Sequence, residues 1–463
     1  MEFDLREIAR ITGGTLNPAD AKATVVGVST DSRTTKPGEL FIPLRGPNFD
    51  GHDFLTLAVR SGAGACLSED VVNGLPVPVV VVDDTLKALG DLAAEVRNKF
   101  YGAVVGITGS SGKTTTKEML AGILALTGPG LLTQGNFNNL IGLPLTLFRN
   151  RDECEWMVLE MGMSARGEIA RLCEIASPSI GIVTNIGLAH LETLHGIEGV
   201  ARAKGELFEA LPEEGFAIVN ADDEYVVNLP VANNVCRVMY GCHVDAEIRG
   251  ESIIARGSGV TFRLITPEGN WPVQLKIAGR HNVSNALAAA AAAHVMGIDG
   301  RTIVRGLEHF QPCCGRMETI SLGCDVLLLE DSYNANPLSV NAALLTLSEM
   351  NGMGRHIAVL GDMLELGEKS TELHREVGCK AAALVDILLV LGEMKDAVAE
   401  GFIETGKNAK TLHLVQNHDE AIAILRDMIQ PGDRLLIKGS RGMRMEKISK
   451  ALRGMHFCLA ANG

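Results

Sequence analysis

Residues 104–116 carry the most constraining feature of this chain, the sequence VVGITGSSGKTTT. An apolar run ends in a glycine loop and a helical pattern follows, which predicts a strand, a loop and a helix. Gly109 and Gly112 let backbone N–H groups approach phosphate oxygens, and the start of the helix adds partial positive charge. Lys113 is placed to reach terminal phosphates, and the Thr114 hydroxyl to coordinate magnesium. The stretch therefore indicates a nucleotide-phosphate site.

This loop is shorter than the common phosphate-loop pattern. The common pattern has four residues between its glycines, whereas the residue five positions before Gly112 is Ile107. A Gly-Ser-Ser-Gly turn that merely joins a strand to a helix is therefore the alternative. The Lys-Thr pair at the start of the helix favours phosphate binding, because it matches the mechanism at two further positions.

Length and charge limit the function classes that remain. A chain of 463 residues is too long for one core and predicts two to four domains. The formal charge is 42 − 56 = −14 and no run of Lys and Arg occurs, which excludes general nucleic-acid binding. An anionic substrate would need a local basic pocket or magnesium. The 51 glycines, with 46% apolar residues, indicate many tight turns between strands and helices.

The cysteines and the apolar runs bear on the compartment. The ten cysteines contain no Cys-x-x-Cys pair and no Cys/His metal spacing, which indicates reduced thiols. The charged, amphipathic start MEFDLREIAR is not that of a signal peptide. The longest apolar run, residues 286–293, is too short to cross a bilayer. We expect a cytoplasmic protein without membrane insertion.

Residues 1–100 predict a small mixed domain. A helical stripe after Leu5 stops at Gly13, residues 25–28 and 79–82 resemble strands, and residues 86–100 form a helical pattern. Two polar loops, near residues 29–33 and 45–54, lie between these elements; the two loops are either ordinary turns or a pocket for a polar, phosphorylated ligand.

Residues 101–312 alternate strand and helix, which predicts a mostly parallel sheet. An Asn-rich loop at residues 133–144 falls where a doubly wound sheet binds its ligand. Glu160 ends a strand predicted at residues 156–160 and suits magnesium. His190 follows another strand and is either a ligand or a satisfied polar group. Lys204, taken alone, reads as a solvated lysine on a helix.

The rest of the chain predicts a second doubly wound unit. Residues 236–277 indicate a small antiparallel excursion, after which residues 279–285 cap an Ala-rich helix. A third unit begins near Cys313. The first turn of this unit lacks a Gly-x-Gly-x-x-Gly signature, so it is not expected to bind a dinucleotide. Its predicted strands are residues 326–330, 357–360, 387–391, 412–415 and 434–437.

Six motifs in the central and C-terminal parts of the chain identify a family. They are Thr-Gly-Ser-Ser-Gly-Lys-Thr at 108–114, Asn185 with His190-Leu191-Glu192, Lys204-Gly205-Glu206, His281-Asn282 with Asn285, Gly315-Arg316-Met317-Glu318, and Asp331-Ser332-Tyr333 with Asn336-Pro337. Together they resemble the ATP-dependent Mur ligase family of peptidoglycan synthesis, whose phosphate loop has this shortened form.

The resemblance implies an α/β fold of three domains. Residues 1–100 would form a small mixed domain that binds the UDP substrate. Residues 101–312 would form the central parallel-sheet ATPase domain with the phosphate loop. Residues 313–463 would form a Rossmann-like domain that binds the amino acid or dipeptide and closes on ATP.

Four further segments are similar to the family members that add D-alanyl-D-alanine to UDP-N-acetylmuramoyl-tripeptide through an acyl phosphate. They are residues 135–142, 332–337, 360–367 and 438–441. The alternatives are a related ligase that adds the third residue or polyglutamate, and a nucleotide-dependent switch. A switch leaves residues 331–337 unexplained. Partners would be these small molecules, with no nucleic acid, and we expect a monomer. The adjacent Cys313 and Cys314 have no functional explanation.

The resemblance also implies the residues of the nucleotide site. ATP contacts are expected from Gly109, Ser110, Ser111, Gly112, Lys113, Thr114, Thr115, Asn282, Arg316, Asp331 and Tyr333. Two magnesium ions are expected on Thr114, Glu160, His190 and Lys204. Lys204 would be carbamylated, which converts an ammonium into an anion suited to magnesium. The expected catalytic residues are Lys113, His190 and Lys204.

Two substrate sites complete the set implied by the resemblance. Contacts to the UDP substrate are expected from Ser29, Thr30, Ser32, Arg33, Arg45, Gly46, Asp50, His52, Asn136, Asn138 and Asn139. Contacts to the dipeptide are expected from Asn334, Asn336, Lys438, Ser440 and Arg441.

Overall fold

A computed structural model describes residues 2–188 and 191–455. The strands, in chain order, are β1 (Phe3–Asp4), β2 (Thr15–Asn17), β3 (Thr24–Val25), β4 (Val28–Ser29), β5 (Leu40–Phe41), β6 (Ala65–Ser68), β7 (Val79–Val81), β8 (Ala103–Thr108), β9 (Gly130–Leu132), β10 (Trp156–Glu160), β11 (Ile180–Val183), β12 (Phe216–Asn220), β13 (Cys236–Gly241), β14 (Ile248–Arg256), β15 (Gly259–Thr266), β16 (Gly269–Leu275), β17 (Glu318–Gly323), β18 (Val326–Asp331), β19 (His356–Gly361), β20 (Ile387–Leu391), β21 (Leu412–Val415) and β22 (Arg434–Lys438).

Helices alternate with most of these strands. They are α1 (Leu5–Thr12), α2 (Leu55–Arg60), α3 (Thr85–Asn98), α4 (Lys113–Leu124), α5 (Gly142–Leu147), α6 (Glu168–Ala176), α7 (Leu191–Leu194), α8 (Ile197–Glu209), α9 (Glu224–Val227), α10 (His281–Val295), α11 (Gly300–His309), α12 (Pro337–Glu349), α13 (Ser370–Leu384), α14 (Lys395–Glu404), α15 (His418–Met428) and α16 (Glu446–Arg453).

The described residues group into two compact units. The first contains residues 2–106, 128–163 and 167–179, and the second contains the remainder. The three predicted domains, with boundaries near residues 100 and 312, divide the chain differently from these two units, and they stay predictions.

In the first unit, a five-stranded sheet has the order β2-β7-β6-β5-β4. β2 is antiparallel to β7, and the other neighbours are parallel. Leu5 and Ile8 of α1 and Leu89 and Leu92 of α3 are fully buried in its core. The predicted helix ends as expected, at Gly13 with φ of 66°. The single strand predicted at residues 25–28 is wrong, because β3 and β4 are separate strands in different sheets.

The first unit also contains β9 and β10, which pair in parallel with Trp156 opposite Gly130. β10 lies between β9 and β8 in the sheet order. Every residue of β10 is buried, including the carboxylate at its end, Glu160. The predicted strand that ends in this carboxylate is confirmed.

In the second unit, β11, β12, β13 and β14 are parallel neighbours, and β14, β15 and β16 continue as an antiparallel meander. The meander confirms the predicted antiparallel excursion. α10 packs against α4, and its alanines 286 and 288–293 are fully buried. The apolar run in the sequence is therefore an internal helix. Its motif at residues 281–285 forms the first turn of α10 instead of a preceding cap, which corrects the predicted start.

The predicted second doubly wound sheet is confirmed, with the order β17-β18-β22-β19-β20-β21. β18 to β21 and β22 are parallel, and the sequence reading missed the antiparallel edge strand β17. Asp331 at the end of β18 lies opposite Lys438 at the end of β22. The carboxyl ends of parallel strands form the ligand-binding edge of such sheets, so these two side chains mark that edge.

The structure bears on two further points, the state of the cysteines and the apolar character of the helices. Cys324 is disulfide-bonded, so the expectation of a fully reduced set of cysteines is wrong at this position. Among the described residues, no helix has the length and apolar character needed to cross a membrane.

Candidate active site

The phosphate loop joins β8 to α4, as the sequence predicts. Gly109 has φ of 148° and Gly112 has φ of 80°, a region that L-residues with side chains rarely adopt. A Cβ atom at Gly112 would lie 2.2 Å from Asn285 Oδ1, and one at Gly109 would lie 1.8 Å from Thr184 Oγ1. Both glycines are therefore required by backbone conformation and by space.

The segment after β11 braces this loop. The Thr184 hydroxyl donates to the Ser111 carbonyl at 2.6 Å. Asn185 Oδ1 accepts from the Ser111 backbone N–H at 2.9 Å, and Asn185 Nδ2 donates to the Ser111 carbonyl at 3.1 Å. The Ser110 N–H donates to the Asn185 carbonyl at 3.0 Å. The Ser110 and Ser111 N–H groups are thus bonded to Asn185. The N–H groups that a helix start offers to a phosphate belong to the first turn of α4.

Lys113 folds back over the loop that precedes it. Its Nζ donates to the Gly109 carbonyl at 2.6 Å. Thr114, in the same first turn of α4, is 5% exposed. The positions of both residues at the amino end of the helix agree with the roles predicted for them.

Lys204 lies on α8 and is 1% exposed, so the surface lysine that its sequence context alone indicates is not what the structure contains. Burial, and then the positive charge of Lys113, hold the pKa of the Lys204 amine well below its usual value. Burial therefore favours the neutral, nucleophilic form of this amine.

A chain of buried amides links α10 to α4. Asn285 Nδ2 donates to Asn282 Oδ1 at 2.9 Å, and the Thr116 hydroxyl lies 3.5 Å from Asn285 Oδ1. Asn282 Nδ2 also donates to the Ala278 carbonyl at 2.7 Å. Asn282 is 1% exposed. The predicted ATP contact Asn282 is thus held in one orientation by its neighbours.

Asp331 and Lys438 form a buried ion pair at the carboxyl edge of the C-terminal sheet. Lys438 Nζ donates to Asp331 Oδ2 and, at 2.9 Å, to the Asn334 carbonyl. The Met317 N–H donates to Asp331 Oδ1 at 3.2 Å. His281 of α10 also faces this pair, and burial lowers the pKa of its imidazole to about 4.

Arg316 and Arg441 both lie against the Tyr333 ring. The guanidinium carbon of Arg316 is 3.9 Å from the ring centroid, and that of Arg441 is 5.7 Å away. The ring thus gathers two cations near Asp331, in a region where the sequence reading expected contacts to ATP.

The residues predicted to contact the dipeptide divide into two groups. Lys438, Ser440 and Asn336 are at most 9% exposed and make internal hydrogen bonds. Asn334 and Arg441 are exposed. The exposed pair is available to a ligand, whereas the buried three hold the surrounding loops.

Glu160, the predicted magnesium ligand of the first unit, is 2% exposed. Asn138 Nδ2 donates to its Oε1 at 2.8 Å, and its backbone N–H donates to the Thr133 hydroxyl at 2.9 Å. Asn138 therefore orients this carboxylate. Asn136 and Asn139 are exposed, and Asn139 Oδ1 accepts from the Gly142 N–H at the start of α5. His190, the remaining predicted ligand, lies outside the described residues.

The first loop predicted for the UDP substrate follows β4. Ser29 and Ser32 are buried, and the Ser29 hydroxyl donates to the Asp31 carbonyl. Arg33 is largely exposed, with 82% of its side chain accessible, and pairs with Asp31 at 2.7 Å. Hydrogen bonds from Arg33 lower the pKa of Asp31 to about 2. Thr30 lies at the same strand end.

The second loop follows β5, the parallel neighbour of β4. Arg45 lies 3.2 Å from Asp50 and 3.1 Å from Glu69, the residue after β6. His52 Nδ1 lies 2.6 Å from Asp50 Oδ1, and its Nε2 accepts from the Glu69 N–H. Gly46 bonds back to the Phe49 carbonyl. Both loops thus follow neighbouring parallel strands, where ligand contacts are expected.

The sequence analysis places Asn185 in a family motif but assigns no role to Thr184, Asn220 or Asp223. Thr184 Oγ1 and Asn220 Nδ2 are both buried donors to backbone carbonyls. The Ile186 N–H donates to Asp223 at 2.9 Å. Their only signal was a polar residue directly after a buried strand, a position that is also common in ordinary turns.

Comparisons with known proteins agree with this geometry. Residues 24–97 match a model described as Mur ligase family, catalytic domain. Residues 107–293 match the Mur ligase middle domain, and residues 315–441 match the Mur ligase, glutamate ligase domain. The chain belongs to the Mur ligase family. The predicted family and the predicted three-domain α/β fold class are therefore confirmed.

Relatives of this Mur ligase match it over nearly its whole length. UDP-N-acetylmuramoyl-tripeptide–D-alanyl-D-alanine ligase of Escherichia coli is 39% identical and covers 98% of this chain and 99% of its own length. The Bacillus subtilis protein of the same name is 36% identical, with 97% and 98% covered. The crystal structure of MurF from Acinetobacter baumannii superposes with a TM-score of 0.92 at 34% identity, covering 98% of this chain and 99% of that one. MurF from Thermotoga maritima in complex with ADP gives a TM-score of 0.82 at 28% identity, with 92% and 97% covered.

Proposed function

We propose that this chain joins D-alanyl-D-alanine to UDP-N-acetylmuramoyl-tripeptide while it converts ATP to ADP and phosphate. The observation that carries this proposal is the near-complete coverage by relatives named for that reaction, at 36–39% identity. The related Thermotoga maritima structure was solved with ADP, which agrees with the use of ATP. The product would be the UDP-linked pentapeptide precursor of peptidoglycan.

The chemistry explains why ATP is needed. A carboxylate is a poor electrophile for an amine, so the terminal carboxylate of the tripeptide first attacks the γ-phosphorus of ATP and ADP leaves. The dipeptide amine then attacks the carbonyl of this acyl phosphate and forms a tetrahedral intermediate. Phosphate leaves with the bonding electrons of the carbon–oxygen bond, and the amine loses a proton. Charge crowding between anions dominates the first barrier.

Lys113 and the first turn of α4 would counter this crowding. The Lys113 ammonium, which donates to the Gly109 carbonyl at 2.6 Å, would turn from that carbonyl to the terminal phosphates. The N–H groups at the amino end of α4 would bind the same oxygens. The rigid bracing of Ser110 and Ser111 by Asn185 keeps these groups in place before the nucleotide arrives.

The residues fit magnesium by the chemistry of their donor atoms. The Glu160 carboxylate and the Thr114 hydroxyl are buried, hard oxygen donors of the kind that magnesium prefers. Magnesium would supply electrostatic stabilisation of the phosphate charge. Thr114, Glu160, His190 and Lys204 stay the proposed set, and Asn138 would orient Glu160.

Lys204 is suited to carbamylation because its amine is buried and its pKa is well below the usual value. The neutral amine would add to carbon dioxide, forming a nitrogen–carbon bond and releasing one proton. The resulting carbamate carries two oxygens and one negative charge, and this charge would attract the Lys113 ammonium.

The remaining groups would bind the other substrates. The loops around Arg33 and Arg45 in the first unit would bind the UDP substrate, with Arg33 well exposed to a phosphate. Asn334 and Arg441, which are exposed, are the proposed contacts of the dipeptide. Arg316, Tyr333 and Asp331 would contact the nucleotide.

Phosphate release tests this function. The purified protein is assayed with ATP, magnesium and UDP-N-acetylmuramoyl-tripeptide, with and without D-alanyl-D-alanine. We expect sustained release only with the dipeptide, together with the pentapeptide product by mass spectrometry. Meso-diaminopimelate, lysine and glutamate, each with its matching nucleotide acceptor, serve as competing amines. Turnover with one of these instead would indicate another ligase of the family, and release without any acceptor would indicate a nucleotide switch.

A further inference from the structure

Asn336 connects the C-terminal part of the second unit to the phosphate loop. It is the N-cap of α12, where its Oδ1 accepts from the Ser339 N–H at 2.8 Å. The other end of the same amide, Nδ2, donates to the Ser110 carbonyl at 3.2 Å. The residue is 9% exposed. One buried side chain thus holds a helix start and the phosphate loop together.

The orientation of this amide is determined at both ends. Turning it over would place the NH₂ group against the Ser339 N–H and the oxygen against the Ser110 carbonyl. Both contacts would then be repulsive. The donor toward Ser110 is therefore a property of the site and does not depend on how the amide is drawn.

The segment before Asn336 is rigidly attached to the C-terminal sheet. The Tyr333 N–H donates to the Gly315 carbonyl at 3.0 Å. Lys438 Nζ donates to the Asn334 carbonyl at 2.9 Å, and the Ser440 hydroxyl donates to the Ala335 carbonyl at 3.2 Å. Because Lys438 ends β22 and Ser440 lies two residues after it, the position of Asn336 is set by that sheet.

The N–H and hydroxyl groups of Ser110 bond to the segment that follows β11. Its N–H donates to the Asn185 carbonyl, and its hydroxyl exchanges hydrogen bonds with the Gly187 backbone at 2.9 and 3.0 Å. The Ser110 carbonyl is the group that receives Asn336. Leu338, two residues further on, packs beside Gly187, where an added Cβ would lie 3.2 Å from its Cδ2.

We propose that Asn336 is a positioning residue for the phosphate loop. It couples docking of the C-terminal segment, residues 333–336 held by the C-terminal sheet, to the conformation of that loop. When the C-terminal segment is docked, the Nδ2 donor fixes the Ser110 carbonyl, and with it the loop that leads to Lys113. The first chemical step therefore proceeds at full rate only when the segment that carries the dipeptide site is in place. This inference rests on the proposed function, and it replaces a direct dipeptide contact by Asn336.

Two substitutions separate the coupling role from the helix cap. Asn336→Asp keeps the Oδ1 acceptor for Ser339 but puts an acceptor against the Ser110 carbonyl. Asn336→Ser keeps a good N-cap residue that is too short to reach Ser110. Asn417→Asp is the matched control, because Asn417 caps α15 in the same way, by accepting from the Glu420 N–H at 2.9 Å. Thermal denaturation verifies that all three variants fold.

Steady-state ligation with saturating ATP and varied D-alanyl-D-alanine gives the decisive measurement. Loss of one hydrogen bond plus repulsion between acceptors predicts a fall in kcat of about tenfold for Asn336→Asp and about fivefold for Asn336→Ser. The KM for the dipeptide should stay within about threefold, since no dipeptide contact is lost.

Three outcomes would overturn the coupling role. They are an unchanged kcat in both Asn336 variants, a raised KM for the dipeptide at full kcat, and an equal loss in Asn417→Asp. Wild-type protein in the same assay separates this result from the proposed function, because failure of that function would abolish dipeptide-dependent turnover in wild type as well.

Discussion

Replacing Lys438 by methionine tests the buried ion pair at the edge of the C-terminal sheet. Lys438 is 2% exposed, and its Nζ donates to Asp331 and to the Asn334 carbonyl. Methionine keeps much of the apolar stem and removes the charge. Asp331 would then retain the Met317 N–H on one oxygen and lose its cation on the other.

The expected loss of stability is large because the remaining carboxylate stays buried. Removing one partner of a buried pair costs about 3–5 kcal/mol. Asp331 keeps 15% of its side chain accessible, so the lower end of about 3 kcal/mol applies. For a domain the size of the predicted residues 313–463, about 150 residues, this corresponds to a fall in Tm of roughly 6–12 °C.

Differential scanning calorimetry measures this change, and a double-mutant cycle assigns it. Asp331→Asn combined with Lys438→Met should recover much of the lost Tm, because a neutral amide does not need the lysine. Lys395→Met is the control, since that lysine bonds Gln416 at the surface at 2.8 Å. The reasoning is refuted if Lys438→Met has the same Tm as Lys395→Met. It is also refuted if the Tm changes of Asp331→Asn and Lys438→Met simply add in the double variant.

The remaining predictions concern the phosphate loop and its surroundings. Lys204→Ala should abolish ligation, and bicarbonate should support wild type but not this variant; normal turnover would disprove the carbamate. Gly112→Ala should lower ligation about a hundredfold or more, because its Cβ would meet Asn285 Oδ1 at 2.2 Å and displace the loop. Gly74→Ala, with nearly the same φ of 83° but open space, should leave ligation unchanged. The pKa of His281 is lowered to about 4, so the unfolded chain binds a proton first as pH falls from about 6.5. Stability should therefore decline between pH 6.5 and 4, and urea titrations of His281→Gln should show a flatter dependence on pH.

Local patterns anticipated most elements of the fold. The buried strands β10, β19 and β20 were predicted nearly to the residue, because continuous apolar runs bounded by polar turns are typical of parallel strands. The edge strand β17 was missed, since its residues are mostly half-buried and show no apolar run. The short strands β3 and β4 were merged, because nothing local indicates that they join different sheets.

Among the candidate site residues, burial decided what the pattern could not. Lys204 has the local context of a surface lysine and Lys438 that of a ligand contact, yet both are buried, at 1% and 2% exposed. Ser440 and Asn336 resemble ligand-binding polar residues, and the structure shows them bonded to carbonyls of other segments. Each of these contacts joins residues far apart in the chain, a separation that no local periodicity records.

The phosphate loop shows where sequence sufficed and where it did not. The sequence by itself determined its chemistry, because glycine conformational freedom and a helix start carrying Lys113 and Thr114 are properties of neighbouring residues. Only the tertiary structure decided that Asn285 and Thr184 leave no room for a side chain there, and that Asn336 reaches the Ser110 carbonyl. The physical reason is that space and hydrogen-bond partners depend on segments brought together by the packing of whole sheets.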